Sequence, residues 1–183
     1  PTFTVAIPIG AWHDFIPATF SSLAAQTPAL NVALMDASSD PRVAEAADAS
    51  GLNFIYRRHG PDQGQSDAIA EGWREGGGDI LFWLNGDDRL TEGALKKVAT
   101  LFDADPELDA VYGHSDFING AAELIGTHDQ VEAVSDLLYR SNIISQPSCF
   151  VRRTAVEAVG GLNQALHYVM DWDLWVRLYA NGA

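Results

Sequence analysis

The 183 residues include one cysteine and two lysines, and no apolar run approaches the roughly 18–20 residues of a membrane span. A lone Cys149 excludes an internal disulfide framework and a cysteine-rich zinc site. Basic residues are scarce, with 11 Lys+Arg against 25 Asp+Glu, a formal net charge of −14. That balance excludes a general nucleic-acid binder, which needs a basic face for phosphates. The opening PTFTVAIPIG lacks a secretory signal and an initiator Met, so an excised domain is expected. The glycines of 60–64 lack the G-K-[ST] of a phosphate loop, and no Ser–His–Asp arrangement emerges from spacing. No repeat or low-complexity linker divides the chain, so one domain is expected. At 47% hydrophobic it has enough apolar residues for a core.

What is present is an alternation of strand and helix patterns. Phe3–Ile9 reads as a buried strand, rich in β-branched residues. Strands are also expected at Asn31–Met35, Asn53–Arg57 and Ile80–Leu84, the last an unbroken apolar run suited to a parallel sheet buried on both faces. Helical spacing marks Phe15–Ala25, Arg42–Ala49, Ser66–Glu75, Thr91–Phe102, Gln130–Tyr139 and Asp171–Tyr179. Gly76–Gly78 reads as a helix stop. A β segment begins at Ala110–Tyr112, the polar stretch through Ile125 suits a hairpin, and Ser148–Arg152 reads as a strand. This pattern predicts an α/β sandwich, with a mainly parallel central sheet flanked by helices. Ligands bind such sheets at the carboxyl ends of the strands.

The carboxylates collect at those ends. Asp36 follows the second strand; Asp62, Gln65 and Asp67 follow the third; Asn85-Gly86-Asp87-Asp88 follows the fourth. Adjacent buried carboxylates are costly unless a cation or strong donors compensate. Mg²⁺ and Mn²⁺ take such oxygen ligands, completed by phosphates and water. Gly86 leaves room for a close-approaching ligand, although N-G-D-D is also ordinary turn chemistry. Near the chain's end, Asp171 and Asp173 point to different faces of a helix, and Asp173 suits a pair with Arg177. Trp172 and Trp175 beside them could form an apolar platform for a sugar or simply belong to the core. Arg57-Arg58 could reach a phosphate or end a solvated strand, and Arg152-Arg153 could meet an anionic acceptor or form a surface pair. His114 could face the site or be a satisfied loop histidine, and Cys149 suits a small buried hydrophobe.

Taken in order, FTVAIPIG, MDASSD, PDQGQSDAIAEGW, GGGDILFWLNGDD, SQPSCFVRR and VMDWDLWVRL resemble the successive motifs of the family 2 glycosyltransferases of GT-A fold. The match runs through essentially the whole chain. It departs from the pattern at Asn85, where the first acid of D-x-D stands, at Ala70, and at Met35 and Met170, each preceding a retained Asp. The resemblance implies transfer of a sugar from a nucleotide-diphosphate sugar to a carbohydrate or lipid-linked acceptor hydroxyl, with inversion. It implies that Asp36 meets the nucleobase, and that Pro8, Asp62, Gln65, Asp67, Asn85 and Asp87 border the nucleotide-sugar. It implies that Asp87 and Asp88 hold Mn²⁺ or Mg²⁺, that Asp171 is the general base, and that 146–148 lies near the acceptor. A nucleotide-binding part is expected over about 1–90 and an acceptor-side part over about 91–183, with the family's closing segment missing after residue 183. A cytoplasmic location is also implied, either free or peripheral at the inner face of the membrane. Two other readings share these residues: a non-catalytic nucleotide-sugar or glycan-binding domain of a larger protein, and a nucleotidyltransferase. The latter would need a Gly-rich basic loop after Ile9, which the sequence lacks.

Overall fold

The computed structural model describes residues 1–131 and 134–183. Strand β1 (Phe3–Ile9) leads through α1 (Ile16–Ala24) to β2 (Leu30–Asp36), then α2 (Pro41–Ala49) and β3 (Phe54–His59). Helix α3 (Gln65–Gly76), β4 (Ile80–Trp83) and α4 (Ala94–Ala104) follow. The second half contains β5 (Ala110–Tyr112), β6 (Ser115–Ile118), β7 (Leu124–His128), β8 (Cys149–Arg152), α5 (Arg153–Ala158) and α6 (Met170–Ala180). Among the described residues, one six-stranded sheet has the order β3-β2-β1-β4-β8-β5. The first four strands are mutually parallel, and β8 runs antiparallel to both neighbours. The expected α/β sandwich with a mainly parallel sheet is therefore the observed architecture.

Period-two alternation builds the two layers. Phe3, Val5, Ile7, Ile80 and Phe82 face one core with residues of α1, α2 and α4; Ala6, Leu81 and Trp83 face the other with Ile69, Trp73, Leu174 and Trp175. Both faces of β1 and β4 are thus covered, as their unbroken apolar runs require. β3 lies at the sheet edge, where burial alternates along the strand.

Helix α3 lies unusually close to β1. A side-chain carbon on Gly76 would stand 2.0 Å from Thr4 Cγ2, and one on Gly78 would stand 2.6 Å from Thr4 Oγ1. Of the three glycines read as a helix stop, only Gly77 takes the left-handed conformation, at φ +69°. Its neighbours serve close packing instead.

The second half corrects one expectation and bears out another. Gln130–Tyr139 does not form a helix: residues 132–133 lie outside the described residues, and the remainder holds one 3₁₀ turn, Asp136–Tyr139. The Leu138 carbonyl accepts from Trp172 Nε1 at 2.6 Å, so it serves α6 and not a continuing helix. In the 110–125 region, β5 joins the main sheet, while β6 and β7 form a separate hairpin. Helix α5 was not anticipated from the sequence. No helix among the described residues is long and apolar enough to cross a membrane.

From β1 the chain builds β2 and β3 to one side, then returns to place β4 on the other side. The carboxyl ends of β1 and β4 meet at that reversal, the usual ligand position in such sheets.

Candidate active site

Asn85–Asp88 leave β4 at this reversal. Asn85 is the hub of a hydrogen-bonded set. Its Oδ1 accepts from Gln65 Nε2 at 2.7 Å, and its Nδ2 donates to Asp88 Oδ2 at 3.3 Å and Gln146 Oε1 at 3.4 Å. Gln146 Nε2 in turn donates to the Trp83 carbonyl at 2.8 Å. One amide thereby ties together the start of α3, the end of β4 and the turn before β8.

Gly86 is buried, and a side-chain carbon there would lie 2.6 Å from Ile9 Cδ1 and 3.1 Å from His13 Nε2. The space expected for a ligand is filled by protein. Thr19 Oγ1 donates to the Gly86 carbonyl at 2.7 Å, fixing the turn on α1. Asp87 is left exposed and Asp88 half-buried. Burial, then the Asp87 charge, raises the Asp88 pKa to about 6, with the Asn85 hydrogen bond opposing the rise.

A carboxylate whose pKa rises on folding weakens the fold as pH climbs from its unfolded value, near 4, through about 6. The loss persists above that window. Asp88→Asn removes it, so in metal-free buffer the variant should gain roughly 1–2 kcal/mol at pH 7.5 and nothing at pH 3.5. Urea denaturation at the two pH values measures this, and an equal gain at both would contradict it.

The loop after β3 uses its carboxylates on itself. Asp62 Oδ1 accepts from Gly64 N at 2.9 Å, and Asp67 Oδ2 accepts from Gln63 N at 3.2 Å. Arg58 bonds the carbonyls of Gly60 and Pro61, and its Nε lies 2.9 Å from Glu71 Oε2. It shapes this loop and is not available as a free phosphate ligand. Asp36 is 2% exposed. Its Oδ1 accepts from Ser38 N and Oγ at 2.8 and 2.5 Å, and its Oδ2 lies 2.9 Å from His59 Nδ1. Pro8 lies beside Met35 in the paired strands.

Asp171 sits in the first turn of α6, where the helix end favours a negative charge. Its Oδ2 accepts from Asn142 Nδ2 at 2.8 Å. The approach to α6 is fastened to α3. Ser66 Oγ donates to the Leu166 carbonyl at 2.8 Å, and a side-chain carbon on Gly64 would lie 3.1 Å from His167 Nδ1. Val169, the residue before the helix, has φ +54°, a left-handed conformation that is strained for a β-branched side chain.

Residues 4–160 match the profile of Glycosyl transferase family 2. The chain belongs to that family. This family 2 chain is 29% identical over 188 aligned residues to a "PGL/p-HBAD biosynthesis glycosyltransferase" of Mycobacterium bovis, covering all of the chain and 72% of that relative. It is similar in fold to Staphylococcus aureus TarS 1–349 in complex with UDP, with TM-score 0.75 and 18% identity over 99% of this chain and 56% of that one. It is also similar to the mannosyltransferase PcManGT of Pyrobaculum calidifontis in complex with GDP-Man and Mn²⁺ (TM-score 0.71, 15% identity, 100% of this chain and 53% of that one). The chain therefore spans little more than half of either structural neighbour.

In this family 2 glycosyltransferase, the structure brings Gln65, Asn85 and Asp88 into direct contact and adds Gln146. It links Asp62 and Asp67 to partners in their own loop, Asp36 to His59 and Asp171 to Asn142, and none of these carboxylates to the Asn85 set. The aromatic platform is not formed. Trp175 is 3% exposed and stacks on Trp83, with ring centroids 5.8 Å apart, and the Trp172 indole is committed to Leu138. Asp173 pairs with Arg177 at 2.7 Å, as its spacing predicted. Arg57 pairs with Asp48, Arg152 lies over the Phe102 ring, and Arg153 bonds the Gly78 and Trp73 carbonyls. These contacts commit the arginines to the fold. His114 bonds its own loop, accepting from Gln130 N at 3.2 Å, and Cys149 is buried in the core. Asn142 went unnoticed in the sequence, because 29 residues separate it from Asp171.

Proposed function

We propose that this chain carries the catalytic centre of an inverting, metal-dependent glycosyltransferase acting on a nucleotide-diphosphate sugar. The observation that carries the reading is the pair Asp87–Asp88 at the end of β4, with Asp88 driven toward its neutral form by burial and by Asp87. A dication relieves that repulsion. Two carboxylates suit Mg²⁺ or Mn²⁺ whose remaining positions are taken by diphosphate and water. Among the described residues no third His, Cys, Asp or Glu completes a protein-only cage, so the donor must supply ligands. Asp87 and Asp88 would hold the ion, which when bound supplies Lewis-acid stabilisation of the leaving diphosphate. The acidic chain otherwise repels an anionic donor.

The chain's own groups do the rest. Gln65 and Gln146 orient the Asn85 amide beside Asp88. Pro8, Asp36, Asp62 and Asp67 border the nucleotide, Asp36 on the base side with its carboxylate fixed by Ser38 and His59. Asp171 takes the proton of the acceptor hydroxyl as that oxygen bonds to the anomeric carbon, and the bond to the diphosphate breaks in the same displacement. The acceptor is a carbohydrate or lipid-linked hydroxyl. TarS and PcManGT were solved with UDP and with GDP-Man and Mn²⁺, which supports nucleotide-linked donors without choosing the base here.

The test is release of nucleoside diphosphate from UDP-glucose, UDP-N-acetylglucosamine, GDP-mannose and dTDP-glucose, with Mn²⁺, by the full-length protein. Release from at least one donor, abolished by EDTA, is the expected result. Tight nucleotide binding with no release from any donor, acceptor or water being available, would identify a binding module instead.

A further inference from the structure

Resting on the reading of Asp171 as the base, we infer that Asn142 is the positioning residue that fixes its carboxylate for the acceptor hydroxyl. Asn142 Nδ2 donates to Asp171 Oδ2 at 2.8 Å, while Asn142 Oδ1 is buried and has no hydrogen-bond partner among the described residues. An ionised carboxylate only accepts, so the amide must present its NH₂ to Asp171. Turning the amide over would face two acceptors and leave a buried donor unpaired. The unpaired Oδ1 is thus the consequence of serving Asp171, and a buried polar atom without a partner costs about 1–3 kcal/mol. A residue selected for stability alone would be apolar here.

A second local cost falls on the same carboxylate. Val169, two residues before Asp171, is held at φ +54°. Its loop is clamped to α3 through Ser66 and Leu166. Strain of this kind persists where the surroundings over-determine a conformation, and it clusters at functional sites. The clamp sets where α6 begins, and Asn142 sets how the carboxyl group is turned. With Oδ2 occupied by Asn142, Oδ1 is the oxygen left to take a proton.

Asn142→Leu has nearly the same shape, removes the donor and also removes the unpaired oxygen. In the full-length protein, with the panel donor that turns over fastest, kcat should fall on the order of 100-fold, the scale of a misplaced reacting group. The donor KM should stay within about twofold, and the melting temperature should not fall. Asn142→Leu added to Asp171→Asn should cost nothing further, because the residue acts through the carboxylate. An unchanged kcat in Asn142→Leu, or a parallel loss of kcat, donor affinity and melting temperature, would overturn the inference while leaving Asp171 intact as base. Undiminished turnover in Asp171→Asn would overturn the base assignment and the inference with it.

Discussion

Asp171→Asn should lower the rate of sugar transfer by about 10²–10⁴-fold, the range typical of a lost general base. The acceptor hydroxyl is a weak nucleophile near neutral pH, and its proton must leave as its oxygen bonds to the anomeric carbon. The substitution keeps size and shape. It leaves the first turn of α6, the Asp173–Arg177 pair and the Trp172 anchor on Leu138 untouched. Nucleoside diphosphate affinity should therefore stay within about threefold, since Asp171 has no hydrogen bond to the Asn85 set. Steady-state rates and calorimetric titration separate the two quantities. Equal losses in transfer and in nucleotide binding would contradict the assignment, because they would place Asp171 on the donor side.

The second large effect belongs to the metal. Titrating UDP, GDP or dTDP into the protein with Mn²⁺ should give affinity at least about 100-fold higher than in EDTA, a difference near 2.7 kcal/mol. The melting temperature should rise with nucleotide and Mn²⁺ together and barely with nucleotide alone. Asp87→Asn with Asp88→Asn should erase the difference between the two conditions while leaving the protein folded. That outcome is expected because neither side chain carries a contact on which the core depends. Metal-independent binding of equal strength would remove the electrostatic argument built on the acidic chain and the Asp87–Asp88 pair.

The parallel strands were legible because both faces of β1 and β4 are buried, which forces unbroken apolar runs. Carboxylates at strand ends were legible because a parallel sheet places those ends on one side. What escaped depended on partners distant in sequence. Gly76 and Gly78 read as a helix stop, yet Thr4 on β1 is what excludes a side chain there. Gly86 read as ligand space, but Ile9 and His13 fill it. Trp175 read as a sugar platform or as core, and only its stacking on Trp83 decides between them. The 130–139 segment had helical spacing, but the Leu138 carbonyl is taken by Trp172, a partner 34 residues away. Asn142 carried no local signal at all, since its role exists only once α6 is folded beside it.

The stereochemistry of the first-formed product tests the central claim most directly. With one base and one departing diphosphate, a single displacement must invert the anomeric carbon. Proton NMR of the glycoside that the full-length protein forms from an α-linked nucleotide-sugar should show a β-configured linkage. An α-configured linkage would require two displacements and a second nucleophile, contradicting Asp171 as the base of a one-step transfer.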